Sequence, residues 1–275
     1  MRGWKIRYLP EVVVPAELPS EVESFKKQQS RWARGSFQVV RKILPNLIKR
    51  KELPWHVRLI GILHLTGYIV HPMALSLLLF ALPVGLLEPN AFKALPISAL
   101  ACFGPPLLYF TANTALKMPL LERLKILPLL VVVGFGISLS TSIGVLEGLT
   151  GKKTGNWVVT PKLNLSDSNR QSKEIDHSYV NPVSPLVWAE IALALYAFIT
   201  ILVLIPTVGW GIVPWMAVYM LGFLYVAGLN LIQHTLRTRS KKKPLKNEEI
   251  HLRYVNKSKS YLKSIEELGG ENHVY

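Results

Sequence analysis

Apolar positions in this chain fall into four long runs separated by basic, polar stretches. Leu59–Leu87 carries no Asp, Glu, Lys or Arg over 29 residues, Ala94–Leu116 none over 23 and Ile191–Gln233 none over 43. Runs of that length exceed the ~20 residues an α-helix needs to cross a bilayer. The last is long enough for two passes with a turn at Thr207–Gly211. A fourth run, Ile126–Leu146, is also uncharged over 21 residues. It is broken by Gly134, Gly136, Ser138, Ser140, Thr141 and Ser142, a composition suited to a helix packed on protein rather than bathed in lipid.

Ahead of these runs the periodicity changes twice. Trp4–Tyr8 alternates as a strand does. No second strand pattern follows it, so it predicts an orphan N-terminal strand whose partners lie elsewhere. Ser20 and Glu23 then have capping-box spacing and predict a helix from about Ser20 to Ala33–Gly35. A second amphipathic helix is expected beyond Gly35, with Phe37, Val40, Leu44, Leu47 and Ile48 on one face and a bend at Pro45. Its basic residues suit the headgroup layer.

Charge orients these elements. Lys and Arg number 32 against 17 Asp and Glu, a net charge of +15. Ten of the basic residues lie between Lys26 and Arg58, and a second cluster follows Gln233. Both flank apolar runs, the pattern of cytoplasmic loops beside an anionic membrane. Nucleic acid is therefore not an expected partner; membrane lipid is.

Both clusters face the cytoplasm if the chain crosses four times, near 63–87, 92–114, 186–206 and 210–233. Residues 126–148 then lie along the interface or dip into it. The expected fold is an α-helical integral membrane protein with about four transmembrane helices, amphipathic interfacial helices and the orphan strand. It would be multi-pass in the cell membrane with cytoplasmic termini.

The expected divisions are 1–19, the remnant of a preceding sheet domain; 20–55, the interfacial helices; 56–114, the first two crossings; 115–185, a cytoplasmic interfacial helix and loop; 186–233, the last two crossings; and 234–275, a basic tail. Cys102 is the single cysteine, which excludes an internal disulfide. His64 and His71 are seven apart on an apolar helix and read as packed or kink-associated residues, not metal ligands.

Candidate chemistry gathers at two places. Gln28, Arg31 and Trp32 are spaced i, i+3 and i+4 and share a helix face. A guanidinium can grip a diphosphate bidentately, an indole offers a flat surface to a sugar ring, and an amide adds a donor and an acceptor. The second place is Asn156–Lys162, where Trp157, Thr160 and Lys162 combine an aromatic, a hydroxyl and a cation on a polar segment. Such a segment could fold over a bound nucleotide-sugar and exclude water.

With these residues in view, the chain resembles the processive family-2 glycosyltransferases, in their mannan-synthase-like and cellulose-synthase-like branch. The resemblance covers about residues 1–235. It rests on Val14-Pro15-Ala16-Glu17-Leu18-Pro19, on Gln28-Gln29-Ser30-Arg31-Trp32-Ala33-Arg34-Gly35 and on Asn156-Trp157-Val158-Val159-Thr160-Pro161-Lys162. It implies Gln28 and Arg31 near a donor diphosphate, Trp32 under the acceptor sugar, and Trp157, Thr160 and Lys162 on a gating loop. It implies a nucleotide-sugar and a glycan acceptor as substrates.

The family also uses an Asp-x-Asp motif for nucleotide and metal, and an Asp base in a Glu-Asp pair upstream of a Gly-Trp. Asp167 and Asp176 are the only aspartates here and form neither motif. Gly3-Trp4 would put the base before Met1. No catalytic residue and no metal ligand is therefore assigned within the chain, and Mg²⁺ or Mn²⁺ is expected on a separate catalytic domain.

The expectation is the C-terminal membrane part of an inverting hexosyltransferase that extends and translocates a polysaccharide, inactive by itself. Two alternatives stay open: a non-catalytic channel subunit partnered with a separate catalytic chain, and a glycolipid-forming glucosyltransferase relative.

Overall fold

A computed structural model describes residues 7–9, 12, 14, 18–19, 21–94, 104–115, 119–151 and 183–242. Two units divide the chain, Met1–Gln233 and His234–Tyr275. The core and the site described below belong to the first.

The described elements are helical. They are α1 (Val22–Lys49), α2 (Trp55–Thr66), a 3₁₀ turn (Gly67–Ile69), α3 (Val70–Leu87), a 3₁₀ segment (Pro89–Ala94), α4 (Gly104–Ala115), α5 (Leu120–Gly136), α6 (Ser138–Thr150), α7 (Leu186–Val208), a 3₁₀ turn (Trp210–Ile212) and α8 (Val213–Lys242). No strand occurs among the described residues. Of the expected orphan strand, Arg7, Tyr8 and Leu9 carry no regular structure and Trp4–Ile6 lie outside the described residues.

Among the described residues, three helical stretches are long and apolar enough to cross a membrane: Trp55–Leu87, Leu186–Val208 and Trp210–Thr238. The pair α5 and α6 bends by 51° at its break and makes a fourth if it counts as one broken span. The expected crossing near 92–114 falls partly on residues 95–103, outside the described residues; α4 covers its second half. The first stretch begins eight residues before the expected crossing near 63–87. Arg58 is accommodated near its start by bending back, its guanidinium donating to Ile48 O at 3.3 Å. Pro72 does not break this stretch. It sits in the first turn of α3, where a missing N–H costs no helical bond, and the interruption falls instead at Gly67–Ile69.

The main core joins α3, α7 and α8 through Leu78, Ala81, Ala197, Leu204, Met216 and Phe223. Where apolar helices cross a bilayer, close packing and interhelical hydrogen bonds supply what the hydrophobic effect cannot. Tyr196 OH donates to Leu79 O at 2.7 Å, and Tyr219 OH to Ala74 O at 2.7 Å, so α3 is tied to both neighbours. Phe135 of α5 meets Tyr219 edge-on, with centroids 4.6 Å apart. Beside it, a Cβ on Gly222 would approach Val132 O to 2.8 Å and Gly136 N to 2.9 Å, so α5 and α8 cross nearly backbone to backbone.

The second core lies between α1 and α6 and consists of Ala33, Phe37, Val40 and Val145. Here two expectations change. One helix, not two, runs from Val22 through Gly35 and Pro45 to Lys49. A mid-helix glycine costs about 1 kcal/mol relative to alanine, and the packing of α6 along α1 on both sides of Gly35 offsets that. Of the apolar face beyond Gly35, Phe37, Val40 and Leu47 are buried and Ile48 is exposed. Ser20, the expected start of the capping box, lies outside the described residues. The N-cap is Glu21, without a side-chain cap bond, and Glu23 turns to other helices.

Candidate functional site

At about 3.6 residues per turn, the buried positions Glu23, Lys26, Ala33, Phe37 and Val40 form one stripe along α1. Gln28, Arg31 and Trp32 fall on the other side. Gln28 and Arg31 are half-buried, and Trp32 is 54% exposed. All three lie within the first three turns, and the helix brings them together as their spacing predicted.

What holds this segment is a close fit to α6, running parallel to α1. Gly144 lies so near Ser30 that a Cβ there would overlap Ser30 O and stand 2.8 Å from its Oγ. One turn on, a Cβ at Gly148 would meet Arg34 O at 2.6 Å and Phe37 Cβ at 2.7 Å. Arg34 forms an ion pair with Glu147 between these two contacts. Farther along, the Arg41 guanidinium lies against Gly151, which closes α6 in a left-handed conformation with φ of 71°. A cation beside the last carbonyls of a helix complements its dipole. The small residues of the 126–148 run thus have a visible use: Gly144 lets the two backbones approach, and Ser138, Ser140, Thr141 and Ser142 are buried.

The start of α1 is held differently, by polar groups. Lys26 Nζ is 2.5 Å from Glu190 Oε1 and 3.5 Å from Glu23 Oε2; the side chains of Lys26 and Glu190 are 1% and 0% exposed. Asn230 Nδ2 donates to Glu23 Oε2 at 2.8 Å, and the Val22 N–H donates to Gln233 Oε1 at 3.0 Å. The first turn and a half of α1 therefore touches α7 through Glu190 and α8 through Asn230 and Gln233.

The sequence reading missed this network, placing Lys26 among the headgroup-facing basic residues. Two signals could have found it. Lys26 lies seven and eleven positions before Ala33 and Phe37, on the same stripe. Glu190 is the one charged residue of α7, and an ionisable residue in an otherwise apolar helix asks for a partner.

His64 is exposed, while His71 is half-buried and stacks on Tyr68, with centroids 6.2 Å apart. Among the described residues, no three His, Cys, Asp or Glu side chains cluster as a metal site would require. They offer no seat for the divalent ion that the resemblance implies, and no step is assigned to one. Trp157, Thr160 and Lys162 lie outside the described residues, as do Asp167 and Asp176.

Residues 1–138 match the family model described as glycosyl transferase family group 2. The match takes in half of the chain, α1 with Gln28, Arg31 and Trp32 included, and the chain belongs to this family. Probable glucomannan 4-beta-mannosyltransferase 3 of Oryza sativa subsp. japonica is 27% identical over 184 residues, covering 64% of this chain and 31% of the relative. Probable glucomannan 4-beta-mannosyltransferase 14 of Arabidopsis thaliana is 29% identical over 210 residues, covering 72% and 36%. Glucomannan 4-beta-mannosyltransferase 1 of Oryza sativa subsp. japonica is 26% identical over 206 residues, covering 72% and 38%. The chain thus spans about a third of the length of these relatives. No solved structure matches it.

Proposed function

We propose that this chain is the membrane-embedded part of an inverting, processive glycosyltransferase. The enzyme transfers hexose from a nucleotide-sugar to a growing polysaccharide and passes the polymer across the cell membrane. The observation that carries the reading is the match of residues 1–138 to the glycosyl transferase family, joined to the grouping of Gln28, Arg31 and Trp32 on one side of α1.

In this reading Arg31 grips the donor diphosphate with its fork of donors. Gln28 hydrogen-bonds beside it, and Trp32 stacks under the terminal sugar of the acceptor. Trp157, Thr160 and Lys162 close over the donor. Residues 1–19 are the remnant of the sheet domain that holds the nucleotide, the Mg²⁺ or Mn²⁺ ion and the base. The chain crosses the membrane four times, with both termini and residues 115–185 in the cytoplasm. The names of the relatives make a nucleotide-mannose the first donor to try and a β-1,4-linked mannan or glucomannan the first acceptor.

The test compares the chain alone with the chain co-expressed with a catalytic domain of a relative. Purified in nanodiscs and given nucleotide-hexoses with Mg²⁺ or Mn²⁺, the chain alone should release no nucleotide above background, and the pair should. Sustained turnover by the isolated chain would overturn the division of labour. No turnover by the pair, against an active intact relative, would overturn the membrane-part assignment.

A further inference from the structure

Four described features compete for an explanation beyond packing: the buried hydroxyls of α6, the ion pair Arg34–Glu147, the exposed apolar faces of the crossing helices, and the buried network at the start of α1. The network is the most specific, because in it buried polar groups of α1 reach two other helices, α7 through Glu190 and α8 through Asn230 and Gln233.

We infer that Lys26 and Glu190, with Glu23 and Asn230, form a positioning device that fixes the rotation and axial setting of α1. That setting determines how Gln28, Arg31 and Trp32 are presented. The inference rests on the acceptor-positioning role proposed above for those three residues.

The geometry is restrictive. Lys26 meets Glu190 at 2.5 Å, Glu23 meets Asn230 at 2.8 Å, and the Val22 N–H meets Gln233 at 3.0 Å, all within residues 22–26. One residue of rotation turns a helix by roughly a quarter of a turn, which would break all three contacts together. Within the segment and one turn beyond it, Gly144 against Ser30 and Gly148 against Arg34 set the spacing to α6. Gln28, Arg31 and Trp32 therefore sit on a stretch with a polar clamp just before it and a close-packed one along it. The close-packed clamp fixes distance. The polar clamp fixes angle, because a buried charge has favourable partners in one register only.

Packing alone does not account for the choice of residues. Well-packed apolar side chains of similar volume often replace a buried ion pair without loss of stability. If Lys26 and Glu190 served only to fill space, a methionine and a leucine would do the same work. As positioning residues they act through α1 and touch no substrate.

The test uses the full chain in lipid nanodiscs with Cys102→Ser, and nitroxide labels on cysteines replacing Gln38 of α1 and Trp188 of α7, both exposed. The label-to-label distance distribution is measured by pulsed electron paramagnetic resonance. The parent should give one narrow population. Lys26→Met with Glu190→Leu should remain folded and lose that single population, giving a broader or second one.

An unchanged narrow distribution in the double variant would overturn the inference. Should the double variant fail to accumulate, Glu190→Gln carries the same test, with the same two outcomes. Because the readout needs no turnover, failure here is separable from failure of the functional reading, which Trp32→Ala tests on its own.

Discussion

The contact between α1 and α6 makes a prediction of sign as well as size. Alanine in place of a helical glycine gains about 1 kcal/mol where there is room. At Gly35 nothing lies within 4 Å of a new Cβ, so Gly35→Ala should stabilise the protein by up to ~1 kcal/mol. At Gly144 the new methyl would overlap the carbonyl of Ser30, and at Gly148 it would stand 2.6 Å from Arg34 O and 2.7 Å from Phe37 Cβ. The obstacles are mainly backbone atoms of a neighbouring helix, which cannot swing away as a side-chain tip could. Overpacking costs about 1–3 kcal/mol, and backbone obstacles place these sites toward the upper end. Less the propensity gain, Gly144→Ala and Gly148→Ala should each destabilise by roughly 1–2 kcal/mol.

Thermal unfolding of the purified chain in detergent, followed by tryptophan fluorescence, ranks the three variants against the parent. The midpoint should stand at or above the parent for Gly35→Ala and below it for the other two. If all three glycines respond alike, α1 and α6 are not in backbone contact, and the account of how α1 is held fails.

Two further outcomes are expected. Lys26→Met alone leaves Glu190 buried without its cation and should cost about 3–5 kcal/mol, whereas adding Glu190→Leu should recover most of that loss; the same unfolding assay checks both, and equal midpoints for the single and double variants would contradict the ion pair. In a Cys102→Ser background, an impermeant thiol reagent added outside should label cysteines at Glu88 and Gly209 and leave those at Thr154 and Lys242 unmodified until the membrane is opened. Labelling at Thr154 or Lys242 from outside would refute the four-crossing topology.

The apolar runs were the legible part of the fold because crossing helices are written in composition: α7 and α8 fall where the uncharged stretch and the turn near Gly209 put them. The grouping of Gln28, Arg31 and Trp32 was equally legible, since it depends only on spacing within one helix. Errors came where distant groups decide local structure. Gly35 reads as a helix end from its own propensity, yet α6, more than a hundred positions away, packs along the helix on either side of it. Glu23 has the spacing of a capping residue, yet its partner is Asn230. Lys26 has the composition of a headgroup contact, yet Glu190 draws it inside. No local pattern contains those partners.

The most direct test of the central claim lies on the side of α1 opposite its buried stripe. In the enzyme reconstituted with a catalytic domain, Arg31→Lys keeps the charge but loses the bidentate fork. Trp32→Ala removes a stacking surface worth ~1–3 kcal/mol, taking the base–aromatic scale for a sugar ring, or about fivefold to 150-fold in acceptor use. Neither residue belongs to the buried stripe of α1, so expression and protease resistance should match the parent. The account predicts normal assembly with polymer synthesis lost or cut at least about fivefold in both variants. Normal assembly with polymer made at the parental rate would contradict it.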